Sequence, residues 1–470
     1  MTAIAALSAA ELGRLFASRA LSPVEVAKET LARIERFEPE INAFVVRDGE
    51  VTLALAQASE ARHRKGEALG PLDGVPVTIK DNIAVAGWPL RRGSAVASDK
   101  PFPDDAPAAA RLREAGCVFL GKTTMPEYGW KGVGDSPLSG ITRNPWDMAT
   151  GPGGSSAGAA SCAALNLGCI HLGTDGAGSV RIPAAFTGVV GLKPTYGRIP
   201  AWPVSTMGFL AHLGPMTRTV ADAALAMNAI GRPDNRDMTA MIDEPPDFVA
   251  ALKGGVKGLR LAWSPRLGGD VPVDPEIAAL TREAAFAFRD LGASVEEVDP
   301  GFVDPIETLM TIWSAGAALA LAAIGANERA RMDPGLVAVA QAGERVPGAA
   351  YVDALLNRRN ALAHHMAQFH ARFDLLLTPT LPLPAFAVGM NTPAHGRYGD
   401  DWTRWTPFTY PFNITQAPAI SLPCGLTKAG LPAGLQLVGA FGADALVLRA
   451  AAAFESARPF ARVEAPIKSI

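Results

Sequence analysis

The first 65 residues carry apolar positions at helical spacing behind two clear start signals. Ser8 and Glu11 form a capping box ahead of one helix, and Ser22, Pro23 and Glu25 open a second through SPVEVAKETLARIERF. A third helical stretch runs through LALAQASEARHRKG. The pattern then changes period: DGVPVTIKDNIAV alternates like a strand that ends at Asp81 and Asn82. Helical APAAARLREAG precedes the apolar strand CVFLGK, and after residue 255 VKGLRLAWSP, PEIAALTREAAFAFRDLG and ASVEEVDP repeat the alternation. This order predicts an α/β sheet. Residues 1–65 form an N-terminal helical segment packed on a core that occupies 66–460, the whole a single structural unit. Thr311 to Ala326, TIWSAGAALALAAIGA, is too short to cross a bilayer and reads as a buried helix that could wall a pocket.

Composition narrows the function classes. A chain of 470 residues with 49% hydrophobic and 19% charged residues buries a large core, and a net charge of -3 gives no general attraction to nucleic acid or anionic membranes. Cys117, Cys162, Cys169 and Cys424 are scattered, with no C-x-x-C pair and no His cluster at metal-ligand spacing, so they read as reduced thiols and no metal is expected. The start lacks the early positive charges of a secretory signal, which makes the cytoplasm the expected compartment. The longest run without Asp, Glu, Lys or Arg, Met148 to Thr174, is Gly, Ser and Ala with a His, and is no membrane span.

Candidate chemistry concentrates between Gly151 and Thr195, in GPGGSSAGAASCAALNLGCIHLGTDGAGSVRIPAAFTGVVGLKPT. Small residues permit close backbone approach, so GPGGSSAG and GTDGAGS suit loops whose N–H groups point into a cavity. The amides of Gly176, Ala177, Gly178 and Ser179 are candidates for an oxyanion hole; tight turns flanking a small-residue helix would produce the same glycine content.

GGSSAG followed by LGTDGAGSVRIPAAFTGVVGLKPT resembles the signature block of the amidase signature family. DGVPVTIKDN, GKTTMPEYG, GPMTRTVADAA, FDLLLTPTLPLPAF and QAPAISLPCG extend the resemblance over most of the chain. It implies a large mixed β-sheet flanked by helices on both faces, and hydrolysis of an amide without a cofactor. It also implies Ser179 as nucleophile, Ser155 as a bridging serine on a cis peptide, and Lys80 as the catalytic lysine. Asp175 and Arg181 fall on positions that brace the loop, and Ser156 is read as a hydrogen-bond partner beside Ser155. The resemblance is compatible with a homodimer, although no helix or strand marks an interface.

That triad makes physical sense. A serine hydroxyl must lose its proton to a positioned base as it attacks, and lysine serves only when neutral, with its pKa brought down from about 10.4 toward ~7–8. Burial behind VPVTI would do this, while Asp81 would point to the opposite face of the strand. One departure stands out: many family members have Gly where this chain has Ala177. Its methyl is expected to narrow the space beside the substrate carbonyl.

Two rival motifs occur. GCVFLGKT, residues 116–123, satisfies the P-loop pattern and taken literally predicts an NTPase, yet Cys117 to Leu120 are apolar and read as a strand. GSSAG, residues 154–158, fits a nucleophile elbow centred on Ser156 that His364, His365 or His370 could complete, but a polar turn-rich segment precedes it instead of a strand.

The substrate pocket is expected from Met125, Tyr128, Trp130, Trp202, Met207 and Phe209, with the run Trp402 to Phe412 contributing, which favours an aryl or aliphatic acyl group on a small-molecule amide. The alternative within the family is the glutamine-hydrolysing subunit of a tRNA-dependent amidotransferase. TRWTPFTYPFNITQAPA supplies an arginine but no acid for the ammonium of glutamine.

Overall fold

The computed structural model describes residues 4–394 and 396–460. Eleven strands form one mixed sheet. In chain order they are β1 (Phe44–Arg47), β2 (Pro76–Lys80), β3 (Val118–Thr123), β4 (Ile170–Asp175), β5 (Val190–Lys193), β6 (His212–Thr217), β7 (Arg260–Trp263), β8 (Ser294–Glu297), β9 (Leu375–Pro379), β10 (Ala419–Leu426) and β11 (Pro432–Gly439). Their spatial order is β1-β3-β2-β4-β6-β5-β10-β11-β9-β7-β8. The β3-β2-β4 and β9-β7-β8 groups run parallel, and the middle of the sheet is antiparallel.

Every residue of β2, β3, β5, β6, β9 and β11 is buried, as expected of strands covered on both faces. Val77 and Ile79 face the largest apolar cluster, which leaves Thr78 and Lys80 to the other side of β2. That alternation aims Lys80 at the loops carrying the small residues.

The helices that matter for the site are α1 (Ala9–Ala17), α2 (Pro23–Ile41), α3 (Gly49–Lys65), α4 (Pro107–Glu114), α5 (Ala157–Ala164), α6 (Arg181–Thr187), α7 (Val220–Ile230) and α8 (Ile306–Leu321). Both N-terminal capping boxes form. The first 65 residues are not wholly helical, however. Phe44–Arg47 joins the main sheet as an edge strand, antiparallel to β3. Four residues between two long helices are too few for a period to show. Helix α8 also differs from the expected stretch, since it begins at Ile306, ends at Leu321 and exposes Leu319 at 65%.

The P-loop reading is overturned. Val118–Thr123 is a fully buried strand, and Lys122, instead of reaching a phosphate, donates to the backbone oxygens of Asp81 and Pro89 and pairs with the Asp81 carboxylate at 3.3 Å. Burial holds the Lys122 ammonium down to about 8, against the opposing pull of Asp81.

Candidate active site

Lys80 ends β2 with no solvent exposure, and burial takes its pKa well below the usual lysine value against a weaker opposing pull from Asp175. Its Nζ lies 2.7 Å from Ser155 Oγ, 3.0 Å from Ser156 Oγ, 2.9 Å from Thr174 Oγ1 and 3.3 Å from the Thr174 carbonyl. These contacts differ in kind. Ser156 donates its single proton to the Thr174 carbonyl at 3.2 Å while accepting from the Thr174 N–H, so toward Lys80 it is an acceptor. Ser155 has no other hydroxyl partner among the described residues, which leaves its proton free to turn toward Nζ or away from it.

The Gly154–Ser155 peptide is cis, and Ser156 immediately precedes α5. The Ser156 N–H donates to the Ser179 carbonyl at 3.0 Å, which ties the serine-rich loop to the loop after β4. No hydrogen bond joins the Ser155 and Ser179 hydroxyls, but both line one cavity.

Asp175 holds the second loop. Its carboxylate accepts from the N–H groups of Gly178 (2.7 Å) and Val180 (3.2 Å), from Arg181 Nε and Nη2 (3.0 and 2.9 Å) and from Asn413 Nδ2 (2.9 Å). Burial alone would raise this carboxyl, but the Arg181 charge and hydrogen bonds outweigh it and hold it far below the usual range. Arg181 spends its remaining donors on the Thr409 carbonyl, Gln436 Oε1 and Asn413 Oδ1. The loop is therefore fixed from beneath by a closed ionic network.

Gly178 needs its glycine: φ is +126°, and a Cβ there would stand 2.4 Å from Thr409 Oγ1. Because the Gly178 N–H is committed to Asp175, it is withdrawn from the expected oxyanion donors. The amides of Gly176, Ala177 and Ser179 make no hydrogen bond among the described residues.

The cavity holds about 290 Å³. Ser155, Thr174, Gly176 and Ser179 lie on its wall together with Asn82, Arg92, Tyr128, Trp202, Met207 and Trp313. Its rim includes Val204 and Leu319, which are 68% and 65% exposed.

Residues 25–448 match the amidase family. The chain belongs to the amidase signature family. An acylamidase of Rhodococcus erythropolis is 41% identical, covering 97% of this chain and 96% of that protein. A glutamyl-tRNA(Gln) amidotransferase component from Symbiobacterium thermophilum is 36% identical, covering 96% of each. Among solved structures, a bacterial aryl acylamidase of the amidase signature family superposes with a TM-score of 0.89 at 33% identity, over 97% of this chain and 96% of that one. This amidase is an amide-hydrolysing enzyme.

The structure brings Lys80, Ser155, Ser156 and Ser179 together and puts Asp175 and Arg181 beneath them, but it divides the expected pocket residues. Tyr128, Trp202 and Met207 line the cavity of the amidase; Met125, Trp130 and Phe209 do not. Met125 is buried with its methyl toward Gly129, Trp130 packs edge-on against Gly335 in the core, and Phe209 turns outward under the Arg359 guanidinium. Trp402 and Trp405 sit in the core with Trp313, and Phe408 and Phe412 lie in a separate cluster, so the Trp402 to Phe412 run supports the wall without forming it. Ala177 also departs from expectation. Its side chain joins the apolar cluster of Ile182 and Trp313 instead of the cavity wall, and φ is not positive, so the methyl costs the cavity no space.

The elbow centred on Ser156 fails as well. Among the described residues its hydroxyl hydrogen-bonds only with Lys80 and Thr174. His365 bonds to the Pro300 carbonyl and His370 to that of Phe373, while His364 meets Gln368.

Sequence reasoning missed Thr174, Asn413 and Gln436. Thr174 sits beside Asp175 in the signature block, where its outward alternation on β4 could have suggested it. Asn413 and Gln436 lie more than two hundred residues away, and no local pattern marks them.

Proposed function

We propose that this amidase hydrolyses a small carboxylic amide through an acyl-enzyme, with Ser179 as nucleophile, Ser155 as proton relay and Lys80 as base. The observation that carries this reading is the fully buried amine of Lys80, held well below its ordinary pKa and 2.7 Å from a serine hydroxyl that shares a cavity with Ser179. A neutral amine has one lone pair; the Ser155 and Thr174 hydroxyls both have a proton to give it, and Ser155 is the nearer at 2.7 Å against 2.9 Å.

In the proposed sequence the Ser179 hydroxyl turns toward Ser155. Its oxygen attacks the amide carbon as its proton passes to Ser155, whose own proton passes to Lys80 Nζ. Negative charge developing on the carbonyl oxygen is met by amides from Gly176, Ala177 and Ser179. Reversal of the relay delivers the proton to the leaving nitrogen, the C–N bond breaks, and water then attacks the acyl carbon by the same path. Ser156, Asp175 and Arg181 act as positioning residues.

Trp202, Met207, Trp313 and Leu319 offer apolar surface to the substrate, which supports an aryl or aliphatic group beside the reacting carbonyl. Hydrolysis of free glutamine finds less support: the described cavity wall carries no Asp or Glu to face an α-ammonium. Ammonia release from benzamide should exceed that from glutamine with the purified chain. Ser179→Ala should lose kcat by about 10³-fold or more and form no acyl-enzyme detectable by intact mass with an activated ester. Ser156→Ala should retain measurable turnover. A Ser179→Ala protein that turns over normally overturns the assignment.

A further inference from the structure

The cavity wall carries a single formal charge, Arg92, and among the described residues no acid lines it. This arginine is unlike its neighbours. Arg91 pairs with Asp99 and donates to the Val45 carbonyl, and Lys122 takes the nearby Asp81. The Arg92 guanidinium has neither a hydrogen bond nor an ion pair among the described residues.

Its placement is built into the backbone. Arg92 and Tyr128 both hold positive φ, 56° and 51°, a region that side chains other than glycine seldom occupy. The Tyr128 N–H donates to the Arg92 carbonyl at 2.7 Å, and the next residue, Gly93, donates its N–H to buried Asp81 at 2.8 Å. A Cβ on Gly93 would stand 2.5 Å from the Met125 carbonyl, so the turn packs closely on the segment leading to Tyr128. Two adjoining turns are thus locked together with both side chains on the cavity wall. The phenol is raised by burial and pulled down by the Arg92 charge. Gly129, the next residue, approaches Ser155 so closely that a Cβ would lie 3.1 Å from its Oγ. The cationic end of the wall therefore adjoins the reacting serines.

We propose that Arg92, with the Tyr128 hydroxyl beside it, receives a carboxylate on the substrate, so that this enzyme acts on amides bearing a free carboxylate and no neighbouring ammonium. A guanidinium presents a planar fork of donors that matches a carboxylate in geometry and charge. An amino-acid substrate would bring an ammonium to a wall that has one cation and no anion. The hydrocarbon of the substrate would lie across the cavity on Trp202, Met207 and Trp313. This inference rests on the reading of Ser179 as nucleophile, since it takes the same cavity as the substrate site.

Two matched substrate pairs test it and also show which side of the amide carries the charge. N-Glutaryl-4-nitroanilide against N-pentanoyl-4-nitroanilide places the carboxylate on the acyl group; 4-acetamidobenzoate against 4-acetamidotoluene places it on the amine. In at least one pair the carboxylated member should have a kcat/KM about tenfold or more higher, chiefly through KM, and added NaCl should erode the advantage. Arg92→Met should collapse that ratio, and Arg92→Lys should restore part of it, with thermal melts confirming that both fold. Preference for the neutral member in both pairs, or a ratio that survives Arg92→Met, overturns the proposal. If Arg92→Met does not fold, Arg92→Lys reads the same ratio in a folded variant and the salt series reads it in the native chain. Failure of the serine assignment is separable, because it would show as hydrolysis of the neutral members by Ser179→Ala whatever their ratio to the charged ones.

Discussion

Among the described residues Lys80 has four hydrogen-bonding oxygen neighbours within 3.3 Å and no carboxylate among them. The acid that acts on it, Asp175, is already neutralised by Arg181. As the proposed base, Lys80 would set the acid limb of the pH profile. With Lys80 in that role, activity would require the neutral amine, so kcat/KM should fall tenfold per pH unit below the depressed Lys80 value and stay level above it. The same shift has a stability sign. Between the folded value and about 10.4 the unfolded chain holds a proton that the folded one lacks, so stability contributed by this group rises with pH across that window. Lys80→Met should abolish the acid limb with a loss of about 10³-fold or more in kcat, and should flatten the rise in urea midpoint with pH. A Lys80→Met enzyme with an unaltered pH profile would remove this residue from the chemistry. Lys80, Ser155 and Ser179 were named through the family resemblance of the runs that carry them, DGVPVTIKDN, GGSSAG and GTDGAGS; small residues and alternation by themselves fit tight turns and a strand end equally well. Trp313 was reached only as part of an apolar stretch, since nothing local says which of its residues turns toward a cavity.

At the scale of elements, the turn from β4 into α6 does the positioning. Asp175 closes β4 and Arg181 opens α6, and both are fully buried. Their ion pair is only part of a network that Asn413 and Gln436 complete across the sheet. Arg181→Met would leave the Asp175 charge buried without a cation, a loss of about 3–5 kcal/mol. Asp175 contributes its stability above the ordinary carboxyl value of about 3.9, and that contribution disappears as pH falls toward its depressed folded value. The variant should therefore show a lower urea midpoint at pH 7 and should unfold at a higher pH on acidification. An unchanged midpoint would mean that the network does not hold the loop. The failure of GCVFLGKT as a phosphate loop belongs to this scale too. Its four central residues are apolar because they are a strand, and Lys122 follows them into the interior to meet Asp81. A residue-string motif carries no information about the element that presents it, whereas the hydrophobic pattern of the same string does.

For the whole molecule, the boundary near residue 65 is the weakest feature that the hydrophobic pattern suggests. It marks a change of period, from helical to alternating, and we propose that it marks no change of folding unit. The described part of the first 65 residues is sewn into the core by β1 on β3, by the Ala10 N–H on the Asp222 carboxylate, by Arg218 on the Leu7 carbonyl and by Arg33 on that of Leu165. Phe16, Phe37 and Ile41 are buried against residues of the larger part. Segments tied by a shared sheet and shared apolar clusters unfold together. We therefore expect a single urea transition, with the tryptophan signal, which arises entirely after residue 65, coinciding with far-ultraviolet circular dichroism. Amide exchange in α2 and α3 should be protected to the same free energy as in β2 and β3. Removing residues 1–47 should expose the β3 edge and give an aggregating protein without activity, because β3 pairs directly with the strand that ends in Lys80. Earlier exchange in α2 and α3, or a truncated chain that stays monomeric and active, would establish the N-terminal stretch as a separable accessory. The proposed base, Lys80, would then owe its position to the central sheet alone.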